Sequence, residues 1–305
     1  MSNPTATSTL AAKPPSPAEP GEIRQALLWS ALVALLFVAA NYAVIYGLFR
    51  TWWVSYAETG HGFIAPPLAA YLVWMKREEL AKLPLAGKSL GLVVVALCAL
   101  VITISHLAQW VFFSQFCLWL SLVAAVWYIA GPAWVKALRF PLLLLLFTIP
   151  PPSFLYTRLT FELQLLASRL GEFGLEALGF SVLREGNVLH MVGEKLSVAE
   201  ACSGIRSLVT LLFFVMVYGY FMLDTLRGRL ILLGSAIPVA IFANGLRIVA
   251  TGVLSQYNRE LAHGITHEVS GYVTLFGGGL CCILLEQWMR RSPATPATTS
   301  QESYS

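Results

Sequence analysis

The sequence predicts an all-α polytopic membrane protein with about eight transmembrane helices. Hydrophobic residues make up 57% of the 305 residues and charged residues only 12%, whereas soluble domains carry about 25% charged residues. The mean hydropathy is +0.70, and the apolar residues form long runs, most of them of roughly 17–25 residues, the length that crosses a bilayer. Between the fifth and sixth runs, a more polar segment predicts a small extracytoplasmic insertion with an amphipathic helix and a β-hairpin.

The predicted spans follow from the apolar runs. The first run is too long for the apolar core of a cleavable signal peptide, so we expect it to be retained as a helix. The second and fifth runs are short for a span. The predicted spans cover about residues 26–49, 63–75, 89–108, 111–130, 138–151, 204–223, 229–254 and 268–289.

Both ends of the chain differ from the rest in composition. Residues 1–25 and 292–305 are rich in Pro, Ala, Ser and Thr, a composition typical of disordered segments. We therefore expect two disordered cytoplasmic tails around one membrane domain, residues 26–291, with residues 153–201 as its extracytoplasmic insertion.

The distribution of basic residues predicts the orientation, because Lys and Arg mark cytoplasmic connections. The opposite short loops hold little beyond Arg50 and Arg259. Both termini are then cytoplasmic, and the active face is periplasmic, as in a multi-pass protein of a bacterial inner membrane. The basic residues on the predicted cytoplasmic side are Lys76, Arg77, Lys82, Lys88, Lys136, Arg139, Arg227, Arg229, Arg290 and Arg291.

The insertion begins with an amphipathic stretch, residues 153–178. Its charged residues form one stripe and its leucines another at helical spacing, which favours a helix on the membrane surface over a tilted span. Short extended runs with turns at Gly186 and Gly193 follow, a pattern typical of a β-meander. We expect this meander to lead the chain to Cys202 at the outer face.

Cys202 is the cysteine best placed for chemistry. It stands where a polar stretch meets an apolar helix, and a helix N-terminus lowers the pKa of a thiol and favours the thiolate. Cys98, Cys117, Cys281 and Cys282 lie in or beside apolar runs, where cysteine packs as a small hydrophobe. The cysteine spacing argues against a disulfide framework or a zinc site. Taken alone, Cys202 fits a reactive thiol and a buried structural cysteine equally well.

Two further reactive groups fall at the same predicted face. Arg247 lies toward the outer end of the seventh span, where an arginine costs roughly 2.5–3.5 kcal/mol and usually faces a cavity or partner, unless it snorkels to the interface. His267 opens the eighth span with a pKa suited to proton transfer, although alone it fits an interfacial histidine that bonds locally. The apolar runs set the spans and the loop charges set their orientation without use of these residues, so the convergence of Cys202, Arg247 and His267 favours a catalytic site.

Three polar residues stand beside this group. Asn244 lies one turn before Arg247 on the same face, where it orients the guanidinium, binds a substrate or joins two helices. Arg206, one turn after Cys202, lowers the thiol pKa, holds a substrate carboxylate or snorkels. Glu200 caps the helix or pairs with an arginine. The sequence leaves these alternatives open.

Other protease classes fit the sequence poorly. His263 and His267 stand four residues apart, but Gly271 occupies the place of the final histidine in a His-Glu-x-x-His motif. Asp224 is the only aspartate in the chain, which argues against an intramembrane diaspartyl protease. Ser203 and Ser270 neighbour glycines but do not stand in a G-x-S-x-G elbow, and the sequence indicates no metal site and no cofactor.

At these residues the chain resembles the exosortase/archaeosortase family of membrane transpeptidases. The resemblance rests on the motif around Cys202, on the motif that ends at Arg247, and on His267 at the start of the last span. Residues 181–187 and the His61-Gly62 pair also look like recurring elements of the family. The resemblance covers roughly residues 27–290. The two motifs read Glu200-Ala201-Cys202-Ser203-Gly204-Ile205-Arg206-Ser207 and Asn244-Gly245-Leu246-Arg247.

The resemblance implies about eight membrane helices, with Cys202 as the nucleophile and Arg247 and His267 as the other members of a triad. It also implies cleavage of exported proteins near a Pro-Glu-Pro-like C-terminal sorting signal, followed by transfer to an acceptor, in bacteria that make exopolysaccharide and biofilm. The expected partners are these exported substrate proteins and membrane lipid, with no nucleic acid.

Two other functions stay as alternatives. One is a transporter that binds an anion at Arg247, which predicts broken helices or inverted repeats around a midplane site; the sequence shows neither. The other is a non-catalytic factor for polysaccharide export, for which Cys202 would be dispensable.

Overall fold

The computed structural model describes residues 35–54, 59–198, 203–258 and 265–291. Contacts within the chain divide it into two units, Met1–Phe49 and Arg50–Ser305. Helix α1 (Tyr42–Val54) begins in the first unit, and the elements that follow it belong to the second.

Helices make up most of the second unit. In chain order they are α2 (His61–Met75), α3 (Arg77–Leu80), α4 (Ser89–Leu107), α5 (Val111–Ile129), α6 (Pro132–Ala137), α7 (Arg139–Leu146), α8 (Ser153–Ala177), α9 (Ile205–Met222), α10 (Leu226–Tyr257) and α11 (Ile265–Arg291). Three short strands stand between α8 and α9: β1 (Val182–Glu185), β2 (Val188–Met191) and β3 (Glu194–Ser197).

Five helices among the described residues are long and apolar enough to cross a membrane, and each coincides with a predicted span. They are Ser89–Leu107, Val111–Ile129, Ile205–Met222, Leu226–Tyr257 and Val269–Arg290. The other three predicted spans are not confirmed. Helix α2 has 15 residues and α7 has 8, both short of the roughly 20 that a straight span needs, and the first apolar run begins outside the described residues.

Two of the apolar clusters among the described residues include buried residues of α9. The first joins α9, α10 and α11, and the second joins α2, α7 and α9. Because α9 begins just after Cys202, both cores fix the helix that follows the predicted nucleophile. The buried residues of the first are Leu211, Val215, Leu232, Ala236, Ala240 and Cys282; those of the second are Ala65, Ala69, Leu72, Leu144 and Phe213.

The strands form the antiparallel meander that the glycine spacing predicts, in the order β1-β2-β3. Glu185 pairs with Val188, and Met191 pairs with Glu194, so each connection is a two-residue turn. One face of the sheet is buried against α8 and α10. Its core includes Leu175 of α8, Leu189, Met191, Leu196, Val198 and Ile248 of α10.

Helix α8 differs from the helix that the sequence predicts to lie flat on the membrane surface. A Cβ on Gly245 of α10 would lie 3.0 Å from Leu170, and a Cβ on Gly252 would lie 2.8 Å from Leu175. The second contact lies closer to the C-terminus than the first in both helices, so α8 runs beside the candidate span α10 over this stretch. Glycines explain the packing, because they let two helix backbones approach closely, and Gly171 contributes likewise against Ile248.

The four cysteines expected to pack as small hydrophobes do not all do so. Cys98, Cys117 and Cys282 are buried as predicted, whereas Cys281 is exposed. Neighbouring residues of a helix point to different sides. Cys282 faces the core between α9 and α10, and Cys281 lines a cavity on another side of α11.

Candidate functional site

The chain that leaves Cys202 is pressed against Asn244 of α10. Gly204 precedes α9 with a φ of +81°, a left-handed conformation that glycine adopts without steric cost. A Cβ on Gly204 would lie 2.8 Å from Asn244 Cγ and 2.9 Å from its Nδ2. Ser203 and Asn244 are each only 2% exposed. The start of α9 and the middle of α10 therefore meet without space for a larger side chain at residue 204.

Arg247 joins α10 to the beginning of α11. Its Nε donates a hydrogen bond to Ser270 Oγ at 3.0 Å, and a Cβ on Gly271 would lie 3.8 Å from the guanidinium carbon. Ser270 comes three residues after His267, which places the two on the same side of the helix, one turn apart. Asn244 lies one turn before Arg247 in the same way. This stretch of α10 thus contacts the start of α9 at one residue and the first turns of α11 at another.

The predicted nucleophile itself lies outside the described residues, as does Glu200, since both fall within 199–202. The backbone of His267 belongs to α11, and its side chain is also outside the described part of the chain. The flanks of the 199–202 segment are described. Val198 packs in the cluster that contains Ile248, and Gly204 contacts Asn244. The residues on either side of this segment therefore belong to the part of the fold that includes Asn244 and Ile248 of α10.

Arg206 lies in the first turn of α9 and is half-buried. Its backbone carbonyl accepts a hydrogen bond from Thr210 Oγ1 at 2.9 Å, which belongs to the helix rather than to a site. At the same helix start, the Ile205 N–H donates to Ser203 Oγ at 3.3 Å. The hydroxyl of Ser203 thus satisfies one of the amides that a helix N-terminus leaves unpaired.

A cavity of about 830 Å³ runs between α10 and α11, and Arg247 lines it. Its walls extend from Val269 to Cys281 on α11, a helix length of about 18 Å. Ser270 lies near one end of the α11 wall and Gly277 further along it, whereas Arg247 lies near the middle of the α10 wall, which runs from Pro238 to Leu254. The lining is mostly apolar, so the cavity combines a cationic group with a long apolar surface.

Ser270 is the site residue for which the sequence offered only a weak signal. Its contact with Arg247 links α10 to α11 across 23 positions of sequence. The available signal was its spacing of three residues from His267, which puts both on one helix face. A serine at that spacing is too common to single out without the position of Arg247.

Comparison with known proteins identifies a family for the chain. Residues 52–285 match the family model described as transmembrane exosortase, a stretch that begins in α1 and ends in α11. No curated protein and no solved structure matches the chain. The family match spans well over half of the chain and includes the Cys202 motif, Asn244, Arg247 and His267. The chain therefore belongs to the transmembrane exosortase family, whose general role is that of a membrane transpeptidase.

Proposed function

We propose that the protein is a cysteine transpeptidase that cleaves exported proteins at a PEP-CTERM-like C-terminal sorting signal and passes them to an acceptor. One observation supports this most directly. The contacts of Gly204 with Asn244 and of Arg247 with Ser270 bring the flank of Cys202 and the helix of His267 to one stretch of α10.

Covalent geometry limits how far Cys202 lies from this stretch. Consecutive Cα atoms are about 3.8 Å apart, so the Cys202 Cα lies within about 8 Å of the Gly204 Cα. Gly204 is in contact with Asn244, and Arg247 is one turn further along α10. We therefore propose that the thiol, the guanidinium and the first turn of the His267 helix share this region, where the adjacent N-terminus of α9 would favour a thiolate.

The chemistry assigns one task to each group. The Cys202 thiolate attacks the scissile carbonyl carbon, and Arg247 stabilises the negative charge that develops on the carbonyl oxygen. His267 gives its proton to the leaving amine as the peptide bond breaks and a thioester forms. An acceptor amine then attacks the thioester, His267 takes the amine proton, and the thiolate is released. Water in place of the amine gives hydrolysis.

The cavity between α10 and α11 fits the apolar segment of such a substrate. Its apolar walls extend for about 18 Å along α11 and include Arg247 and Ser270. An apolar segment bound along the walls would lie beside Arg247. Asn244 and Arg206 then hold polar groups of the substrate near the scissile bond, and Glu200 caps α9.

The proposed setting is a bacterial inner membrane with both termini in the cytoplasm and the site at the periplasmic face. The basic residues of the connections support this orientation, because Lys and Arg are retained on the cytoplasmic side. Exported proteins would then meet the site after translocation, and membrane lipid would surround the spans. We place the reaction in cells that make exopolysaccharide and biofilm.

The test is the processing of an exported, epitope-tagged protein that carries a PEP-CTERM-like C-terminus. Cells express the wild type, Cys202→Ala or Cys202→Ser at equal protein levels, and immunoblots follow conversion of the precursor. We expect the wild type to cleave it and both variants to leave it intact. Normal cleavage by either variant would remove the thioester mechanism.

A further inference from the structure

Helix α7 ends in front of three consecutive prolines, residues 150–152. The amides of residues 147–149 donate to the carbonyls of residues 144–146 at 3.1–3.2 Å, which closes the last turn. The next two carbonyls, those of Phe147 and Thr148, would receive their hydrogen bonds from residues 150–152 if the helix continued. Proline has no N–H, so the chain ahead provides no backbone donor for either carbonyl.

Two aromatic side chains from an earlier part of the chain reach these carbonyls. His61 Nε2 lies 3.0 Å from the Phe147 oxygen, and Trp52 Nε1 donates to the Thr148 oxygen at 2.9 Å. A carbonyl oxygen only accepts, so His61 Nε2 carries the hydrogen. His61 is 9% exposed and Trp52 is 8% exposed, which shields both bonds from water.

The surroundings fix both donors in place. A Cβ on Gly62 would lie 2.5 Å from Trp52 Nε1, so only glycine at residue 62 leaves room for the indole. The His61 ring lies 5.4 Å from the ring of Phe213, which belongs to α9. In the His61-Gly62 pair, His61 thus supplies a hydrogen-bond donor and Gly62 leaves space for the indole of Trp52. The ring of His61 also contacts the helix that follows Cys202.

We propose that His61 and Trp52 are positioning residues, whose ring N–H groups replace the amides that the three prolines lack and so fix the point where the chain passes from α7 to α8. This matters for the site because Leu163 and Ala167 of α8 line one small cavity together with Ser203, Gly204 and Asn244. The consequence for cleavage rests on the proposed function, whereas the consequence for stability does not.

The competing role for His61 is proton transfer. Burial lowers the pKa of His61, and the hydrogen bond to Phe147 opposes this in part, so the ring is neutral. With Nε2 protonated, Nδ1 is the basic nitrogen, and it has no hydrogen-bond partner among the described residues. A positioning role needs only the Nε2–H, whereas proton transfer needs Nδ1.

Glutamine separates the two roles, because its amide N–H occupies the position of Nε2 without a basic nitrogen. The variants are His61→Phe, His61→Gln and Trp52→Phe, with His106→Phe and Trp53→Phe as controls at exposed positions. Each is purified in detergent for its thermal unfolding midpoint and assayed in cells for cleavage of the tagged substrate. We expect His61→Phe and Trp52→Phe to lower the midpoint by about 3–6 °C and cleavage by about tenfold.

We expect His61→Gln to restore most of both losses, and the two controls to match the wild type. A wild-type midpoint in His61→Phe or Trp52→Phe would overturn the proposal. So would a His61→Gln variant that unfolds like the wild type but cleaves no better than His61→Phe, since that result assigns Nδ1 to the reaction. If Cys202→Ala still cleaves the substrate, the proposed function fails, and the unfolding midpoints still decide the role of His61.

Discussion

Asn244 leaves no room for a side chain at Gly204, because a Cβ on Gly204 would lie 2.8 Å from Asn244 Cγ. Cys202 is two residues before this contact in the chain, and Arg247 is one helical turn after it. If Cys202 is the nucleophile, we expect this contact to affect how closely its thiol approaches the guanidinium of Arg247. The lack of space beside Asn244 and the φ of +81° explain why a glycine stands directly after Cys202 and Ser203.

We therefore expect Gly204→Ala to lose more substrate cleavage than the same substitution at a glycine in an open turn. Gly186→Ala is the matched control, since Gly186 has a φ of +64° and nothing within 4 Å of its Cβ position. Backbone strain costs each variant about 1–2 kcal/mol, and only Gly204→Ala adds a clash with Asn244. We expect Gly186→Ala to keep near-normal substrate cleavage and Gly204→Ala to lose at least tenfold at equal protein level. Equal cleavage by the two variants would show that the contact is unimportant.

Arg247→Lys keeps the positive charge but loses the planar fork that donates to Ser270. If Arg247 stabilises the oxyanion, cleavage should fall by about 10²–10³-fold. Arg227→Lys, at an exposed position in the first turn of the same helix, is the control and should cleave normally. Initial rates from pulse-chase immunoblots measure the difference. A fully active Arg247→Lys variant would reduce Arg247 to a membrane anchor.

Filling the cavity between α10 and α11 should block the substrate without disturbing the fold. Gly277 lines the cavity, and nothing lies within 4 Å of its Cβ position. Gly277→Leu adds a side chain there, and Gly234→Leu adds the same side chain at another open helical position. Leucine is the better helix former, so neither change should destabilise the helix. We expect cleavage to fall only in Gly277→Leu; equal cleavage by both would place the substrate elsewhere.

The four remaining cysteines of the chain should be dispensable for the reaction. Replacing Cys98, Cys117, Cys281 and Cys282 by alanine removes small apolar volumes and no proposed catalytic group. The variant should cleave at a rate within about threefold of the wild type, with a lower unfolding midpoint because buried cysteines leave small voids. Its cleavage should be inhibited by a thiol-reactive maleimide, since Cys202 remains. Loss of cleavage at a normal protein level would assign a role to one of the four.

The sequence predicts much of the fold because its main signals are local. Five long apolar runs coincide with helices that satisfy the requirements for a span. The meander was predictable because Gly186 and Gly193 supply the positive φ that its tight turns need. The second and fifth predicted spans are not confirmed, because α2 has 15 residues and α7 has 8, fewer than a straight span needs.

Relations between distant segments were harder to predict. The packing of α8 along α10 depends on Gly171 meeting Ile248 and on Leu170 meeting Gly245, and amphipathicity alone gave no signal of these pairs. The Arg247–Ser270 bond and the His61–Phe147 bond likewise join residues far apart in the chain. The convergence of Cys202, Arg247 and His267 at one predicted face identified them as candidates, motif resemblance added support, and their roles stay predictions.

The most direct measurement is mass spectrometry of the enzyme after reaction with a substrate that carries the sorting signal. An acid quench preserves any thioester, and neutral hydroxylamine then cleaves it. We predict a substrate fragment, ending at the cleavage site, attached to the peptide that contains Cys202 and released by hydroxylamine. Substrate cleavage that proceeds equally in the wild type and in Cys202→Ala, with no adduct on Cys202, would contradict the proposed mechanism.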